Sequence, residues 1–194
     1  MKTLIQGGTI ISASDQCVAD VLIENEKIIQ IGINLNSHNV DQVVDATGKL
    51  LLPGGIDVHT HFDLPMLDTV SSDDHYSGHK AAAFGGTTTV IDFVPQNGSD
   101  LHKDIDLWFG KAVPKAAIDY SFHMNISIFN QTVADQIPDL LKMGISSLKM
   151  FTAYNKTLRL QDIDIFKVMR IAQEHGFLTM LHAENGDIIE ILVQ

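Results

Sequence analysis

Five short apolar runs, each followed by a stretch of helix length or the chain end, most constrain what this chain can fold into. After residue 50 the runs are "GGIDVHTH", "TTTVIDFV", "YSFHMNIS", "SSLKMFTA" and "FLTMLHAE". The segments between them, roughly 74 to 84, 101 to 116, 132 to 143 and 161 to 175, are amphipathic. Strand and helix alternating about every 30 residues is the pattern of parallel βα units. The first 50 residues differ. There "TLIQGGTIIS", "ADVLIENEKIIQIG" and "QVVDATGKLLLPG" are β-branched runs separated by Gly, Asn and Asp turn signals, which predicts small antiparallel β structure.

Parallel βα units either stay open as a doubly wound sheet or close into a barrel. The first strand lacks a following G-x-G-x-x-G turn, and chemistry-bearing residues stand at the ends of several strands, so a barrel is favoured. A complete (β/α)8 barrel takes about 250 residues and gathers its active site at the C-terminal strand ends. Five strand candidates in 194 residues make an incomplete barrel, and an open parallel sheet leaves unpaired backbone groups along its edge. The expectation is an α/β chain in which residues 1–50 are a β segment and residues 51–194 the first part of a TIM-type barrel, truncated as an N-terminal fragment.

Composition excludes several function classes. A net charge of −11 with only 13 Lys and Arg leaves no electrostatic footprint for nucleic acid. The single cysteine, Cys17, rules out an internal disulfide framework and reads as a small half-buried residue in a reducing compartment. The N-terminus has no secretory signal and no run approaches a membrane span, so the expected location is the cytoplasm.

The candidate chemistry lies at the strand ends. His59 and His61 are two apart in a strand and aim at the same space. Lys149 lies on the fourth strand and His182 ends the fifth. Three imidazoles on neighbouring strand ends suit zinc or a similar metal that keeps an open position for water; a satisfied core histidine is the alternative for any one of them taken alone. An ammonium inside a barrel would repel a metal and cost several kcal/mol to desolvate. A buried lysine near cations has a depressed pKa, so its free amine can take up carbon dioxide as an anionic carbamate that bridges two metals. A lysine that snorkels to solvent or pairs with a carboxylate is the competing reading, and both stay open. His75 and His79, four apart on the helix after the first strand, read as a surface pair on an amphipathic helix in preference to a metal pair. His38, His102, His123 and His175 read as structural or solvated.

Taken together, "GGIDVHTHFDLP", "DTVSSDDHYSGHKAAAFGGTTTVIDFVPQ", "SSLKMFTAY" and "HAENGD" resemble the dihydropyrimidinase and D-hydantoinase branch of the cyclic amidohydrolases, over essentially all 194 residues. His75 and His79 depart from it; at position 75 the family often carries an aromatic. The resemblance implies a β-sandwich domain built from both chain ends, a binuclear zinc (β/α)8 barrel, and hydrolytic opening of a cyclic amide or imide. It makes His59 and His61 ligands of the more buried metal, Lys149 the carboxylated bridge and His182 a ligand of the second metal. Tyr154 becomes the hydroxyl that polarises the substrate carbonyl, although a packing role is as consistent with its spacing. Asp57 reads as a supporting acid behind the ligands, and "GGTTT" (Gly85 to Thr89) as the tight entry into the second strand.

In the implied mechanism two metals lower the pKa of a bridging water, hydroxide attacks the ring amide, and an acid/base passes a proton to the leaving nitrogen. The family takes that acid/base from an aspartate on the eighth strand and a further histidine ligand from the sixth. Neither has a place here, so the chain alone is expected to be inactive. Family members are commonly homotetramers. Three alternatives stand beside this reading. An allantoinase or dihydroorotase is one, although Phe62 and Asp63 replace the arginine that commonly follows the second histidine in dihydroorotase-like sites. The others are a non-catalytic scaffold relative and a metal-binding or assembly module.

Overall fold

Residues 2–51 form one mixed sheet in the computed structural model, which describes residues 1–66 and 68–193. Strands β1 (Lys2–Ile11), β2 (Gln16–Glu24) and β3 (Lys27–Gly32) make an antiparallel meander. Asn25 and Glu26, both at positive φ, form the two-residue turn between β2 and β3. Strands β4 (Gln42–Asp45) and β5 (Leu50–Leu51) then pair with β1 in parallel. The expectation of antiparallel structure is corrected here. The chain between β3 and β4 crosses to the far side of β1, and the direction of that return, which local propensity does not encode, sets the pairing. All five strands of the unit Met1–Gly54 belong to this single sheet. Cys17, read as half-buried, is exposed.

The second unit, Gly55–Gln194, follows the strand and helix alternation closely. It runs β6 (Gly55–Thr60), the short pair β7 (Pro65–Met66) and β8 (Thr69–Val70), α1 (His75–Phe84), β9 (Thr87–Val94), α2 (Leu101–Ala112) and β10 (Asp119–Asn125). Next come α3 (Gln131–Gln136), which passes into a 3-10 helix over Ile137–Met143, then β11 (Ser147–Phe151), α4 (Asp162–His175), β12 (Leu178–His182) and α5 (Gly186–Leu192). The main sheet has the order β6-β9-β10-β11-β12, all neighbours parallel, and curls as half a barrel. A doubly wound sheet reverses its strand order at a switch point, and these five strands follow chain order throughout.

Local signals set the boundaries. Asp74 caps α1 by accepting from the Tyr76 and Ser77 amides, while the Ser77 hydroxyl accepts from the Asp74 amide, a reciprocal capping box. Gly86, at φ +87°, makes the turn that admits Thr87 to β9, as expected of "GGTTT". On α2 the residues Leu101, Ile105, Trp108 and Ala112 recur at helical spacing and are buried. They join Phe122 and Met124 of β10 and Leu148 and Met150 of β11 in the main core. No helix among the described residues is long and apolar enough to cross a membrane.

Gly78 of α1 exists for a close approach. A Cβ there would stand 2.1 Å from Cε1 of Phe62, a buried residue just after β6. Gly78→Ala is therefore expected to destabilise the protein by about 1–3 kcal/mol through overpacking, measured as a lower urea midpoint with an unchanged slope.

Candidate metal centre

Alternation along each strand decides which side chains meet. The register pairs Phe93 of β9 with His123 of β10, Asn125 of β10 with Lys149 of β11, and Phe151 of β11 with His182 of β12. Paired residues and residues two apart point to the same side of a sheet, so these six share one face. Leu148 and Met150 flank Lys149 on the opposite face, in the core.

Around Phe93, the imidazoles of His59 and His61 stand edge to face with ring centres 5.3 Å apart, at 4.7 Å and 5.1 Å from the Phe93 ring. Lys149 Nζ lies 6.0 Å from the centre of Phe93 and 5.4 Å from that of Phe151. Phe151 stacks on His182 at 5.7 Å, and the Tyr154 ring is 5.2 Å from His182. Lys149 is thus the residue common to the two groups. His182 engages the Glu184 carboxylate through Nε2, the kind of pairing that orients ligating histidines. Asp57 accepts from the backbone amide of His59, 3.1 Å away, and so shapes the end of β6. Tyr154 has φ +64°, a left-handed conformation that is rare for a bulky residue, and its carbonyl accepts from the amides of Thr157 and Leu158. His123 is buried and hydrogen-bonded to the Ser147 hydroxyl and to the Val58 carbonyl at 3.0 Å, which fits a structural role.

The face is electropositive. Burial, and then repulsion from His59 and Lys149, holds the His61 imidazole below its ordinary pKa. Burial holds the Lys149 ammonium below its ordinary pKa. Among the described residues no three His, Cys, Asp or Glu side chains converge closely enough to hold a metal. As an ammonium Lys149 would repel a cation; to join a ligand set on this face it must lose a proton, and to bridge two ions it must carry negative charge. Carboxylation would supply that charge. The Oδ1 of Asn125, beside Lys149 in register, is buried without a hydrogen-bond partner. A basic, under-neutralised set with an orphaned acceptor fits a metal centre completed by a lysine carbamate.

No family model matches the chain. It is 46% identical over 196 residues to a D-hydantoinase of Geobacillus stearothermophilus, covering 100% of this chain and 41% of that protein. The structure superposes on that of a dihydropyrimidinase from Brevibacillus agri NCHU1002 with a TM-score of 0.95 and 47% identity, over 99% of this chain and 42% of that one. The chain is a homologue of the D-hydantoinases and dihydropyrimidinases. It spans about 41% of the length of the Geobacillus D-hydantoinase, and an N-terminal portion of such a protein fits that extent. An L-hydantoinase from Arthrobacter aurescens, at 20% identity and a TM-score of 0.84, shares the fold.

In this hydantoinase homologue one group departs from the sequence reading. His75 and His79 are fully buried, where a surface pair was expected. Phe62 packs edge-on against both rings at 5.4 Å, and Gly78 between them makes room for it. Asp92 of β9, also buried, accepts from the amides of Phe62 and Phe93 and lies 3.9 Å from His75 Nε2. The signal that could have found it is a lone aspartate inside the apolar run "TTTVIDFV".

Burial pushes the Asp92 carboxyl up to about 7 and the His75 imidazole down to about 4. Their effects on stability have opposite signs. Between pH 4 and 6.5 the unfolded chain binds the proton that buried His75 refuses, so this residue makes stability rise with pH. Over the same interval folded Asp92 keeps a proton that the unfolded chain has lost, so it makes stability fall with pH. The two offset in the unaltered protein. Asp92→Asn leaves the histidine slope alone, and as pH falls from 6.5 to 4 this variant is expected to lose about 3 kcal/mol more than the parent. Urea midpoints across that range measure the difference; parallel curves would disprove it.

Proposed function

We propose that this chain belongs to a metal-dependent hydrolase that opens the ring of dihydropyrimidines or 5-substituted hydantoins. The observation that carries the reading is Lys149, without a salt-bridge partner among the described residues and placed between the His59–His61 pair and the His182–Tyr154 pair. Names of relatives such as D-hydantoinase support the substrate class.

In this reading His59, His61 and His182 would hold two divalent ions, zinc in first place, together with Lys149 once its amine has bonded to carbon dioxide and released a proton. Bound metal would supply a nucleophile at neutral pH and a Lewis acid for the scissile carbonyl. The chain's own residues do the rest. Tyr154 donates its hydroxyl to the substrate carbonyl oxygen as negative charge develops there. Glu184 orients His182 and Asp57 fixes the backbone at His59. Phe93 and Phe151 flank the Lys149 amine between the two groups. Residues 1–50 contribute to a β-sandwich and residues 51–194 to the first five strands of a (β/α)8 barrel. A further histidine ligand and the acid/base that protonates the leaving nitrogen come from later strands, so the 194-residue chain alone is inactive. The complete protein is a cytoplasmic homo-oligomer, a tetramer by family resemblance.

The test compares the 194-residue chain with the complete protein. Metal is measured by plasma mass spectrometry, and ring opening is followed with dihydrouracil and a 5-substituted hydantoin. Two metals per chain and turnover in the complete protein alone are expected. A complete protein that binds metal without hydrolysing either ring would leave a scaffold or metal-binding role instead.

A further inference from the structure

The buried group on the other side of β9 has a wiring that allows only one arrangement of protons. The backbone N–H of Ala117 donates to His79 Nδ1 at 3.3 Å, so that nitrogen is an acceptor and the proton of neutral His79 sits on Nε2. His79 Nε2 lies 3.3 Å from His75 Nδ1, which must then accept, leaving the single proton of His75 on its own Nε2. That Nε2 has no hydrogen-bond partner and faces Asp92 Oδ2 across 3.9 Å. Asp92 in turn takes the Phe62 amide on Oδ2 at 3.2 Å and the Phe93 amide on Oδ1 at 2.8 Å. Phe62 directly follows His61, and the Phe93 ring is the one against which His59 and His61 pack.

We propose that His75 and His79 are positioning residues, two neutral imidazoles wired in one direction, which present an N–H to Asp92 and through its carboxyl set the backbone on both sides of the His59–His61 pair. An added proton on His75 would go to Nδ1 and meet the His79 N–H across the pair, and one on His79 would go to Nδ1 and meet the Ala117 N–H, so the arrangement holds only for neutral rings. Because His75 and Asp92 are both buried, the N–H dipole of His75 acts on Asp92 more strongly than it would in solvent. The other charged groups near the pair are Asp63 and Asp74 on the segment before α1, and Lys111 and Lys115 on and just after α2. Lys115 bridges both aspartates, and Lys111 donates to the Asp63 carbonyl at 2.7 Å. Tyr120 of β10 packs its ring 6.3 Å and 6.0 Å from the two imidazoles. Both imidazoles of the pair are fully buried among these groups.

The proposal rests on the metal-centre reading only for what is being positioned, and its first test needs neither metal nor turnover. In the ¹⁵N-histidine-labelled complete protein at pH 7, long-range imidazole spectra are expected to show His75 and His79 both neutral with the proton on Nε2. A proton on Nδ1 of either ring, or an imidazolium, would overturn the wiring whatever the protein hydrolyses. The second test compares His75→Phe, which keeps an aromatic ring, with His75→Gln, which restores an N–H near the Nε2 position. Amide exchange at Phe62 and Phe93 is expected to quicken about tenfold or more in the phenylalanine variant and to return to within about threefold of the parent in the glutamine variant. Equal exchange in all three proteins, or no recovery with glutamine, would assign the pair to packing alone. If His75→Phe does not fold, the tautomer measurement still decides the wiring.

Discussion

Lys149→Ala is expected to remove bound metal and to lower ring-opening activity of the complete protein by well over a hundredfold. Groups that merely orient a metal ligand commonly cost 10- to 100-fold when removed, and the proposed bridge is itself a ligand of both ions. Its loss leaves His59 and His61 on one side and His182 on the other without the proposed bridge between them. Folding should be affected little, because Lys149 points away from Leu148 and Met150, which pack in the core. A thermal midpoint near that of the parent, with metal content near zero, would separate loss of the centre from loss of the fold. Added propionate, a small carboxylate able to enter the space vacated by the side chain, should restore part of both metal and activity. Full metal content and an unchanged rate in Lys149→Ala would end the bridging role.

Trp108→Ala should destabilise the protein by about 3–5 kcal/mol, as expected for deleting a large buried aromatic. The indole is 1% exposed and lies on the face of α2 that meets the sheet, with the Lys111 ammonium 3.9 Å over its ring. Its Nε1 has no hydrogen-bond partner, so the loss is one of packing and of the cation–π contact and not of a polar bond. Lys111 also holds the Asp63 carbonyl at 2.7 Å. The cavity is therefore expected to loosen the segment after β6 as well as the core. Urea unfolding checks the magnitude, and a loss below about 1 kcal/mol would show that the site collapses to fill the void.

Element type was legible because period and length agree. Each apolar run after residue 50 that was read as a strand is one, and each amphipathic stretch between them is helical. Pairing direction in the first unit was not. Nothing in "QVVDATGKLLLPG" says whether β4 and β5 run with or against β1, since that depends on where the preceding crossover lands. The histidines at strand ends were readable because two-residue spacing and strand position are both written in the chain. His75 and His79 were misread for a physical reason: α1, "HYSGHKAAAF", reads as amphipathic with its polar residues toward solvent, but it has no marked apolar face to turn inward. The helix instead buries His75, Gly78 and His79 and leaves Phe84 86% exposed. What orders it is the wedge of Phe62 at Gly78, a contact between segments 16 residues apart that periodicity does not reveal. Asp92 escaped for a related reason: its partners are backbone amides, which carry no side-chain signature.

The alternation along β11 bears on how such a protein can vary through descent. Leu148 and Met150 pack in the core, while Lys149 and Phe151 lie on the face that carries His123 and His182. Neighbouring codons are thereby placed under separate selection. A lineage can exchange one apolar residue for another at the first pair and retune its working temperature without disturbing its chemistry, or alter the second pair and explore other reactions on an unchanged frame. An insertion or deletion of one residue in the strand would exchange the two sets at once. Within these five residues substitution is the open route of change, and changes of length are confined to the loops.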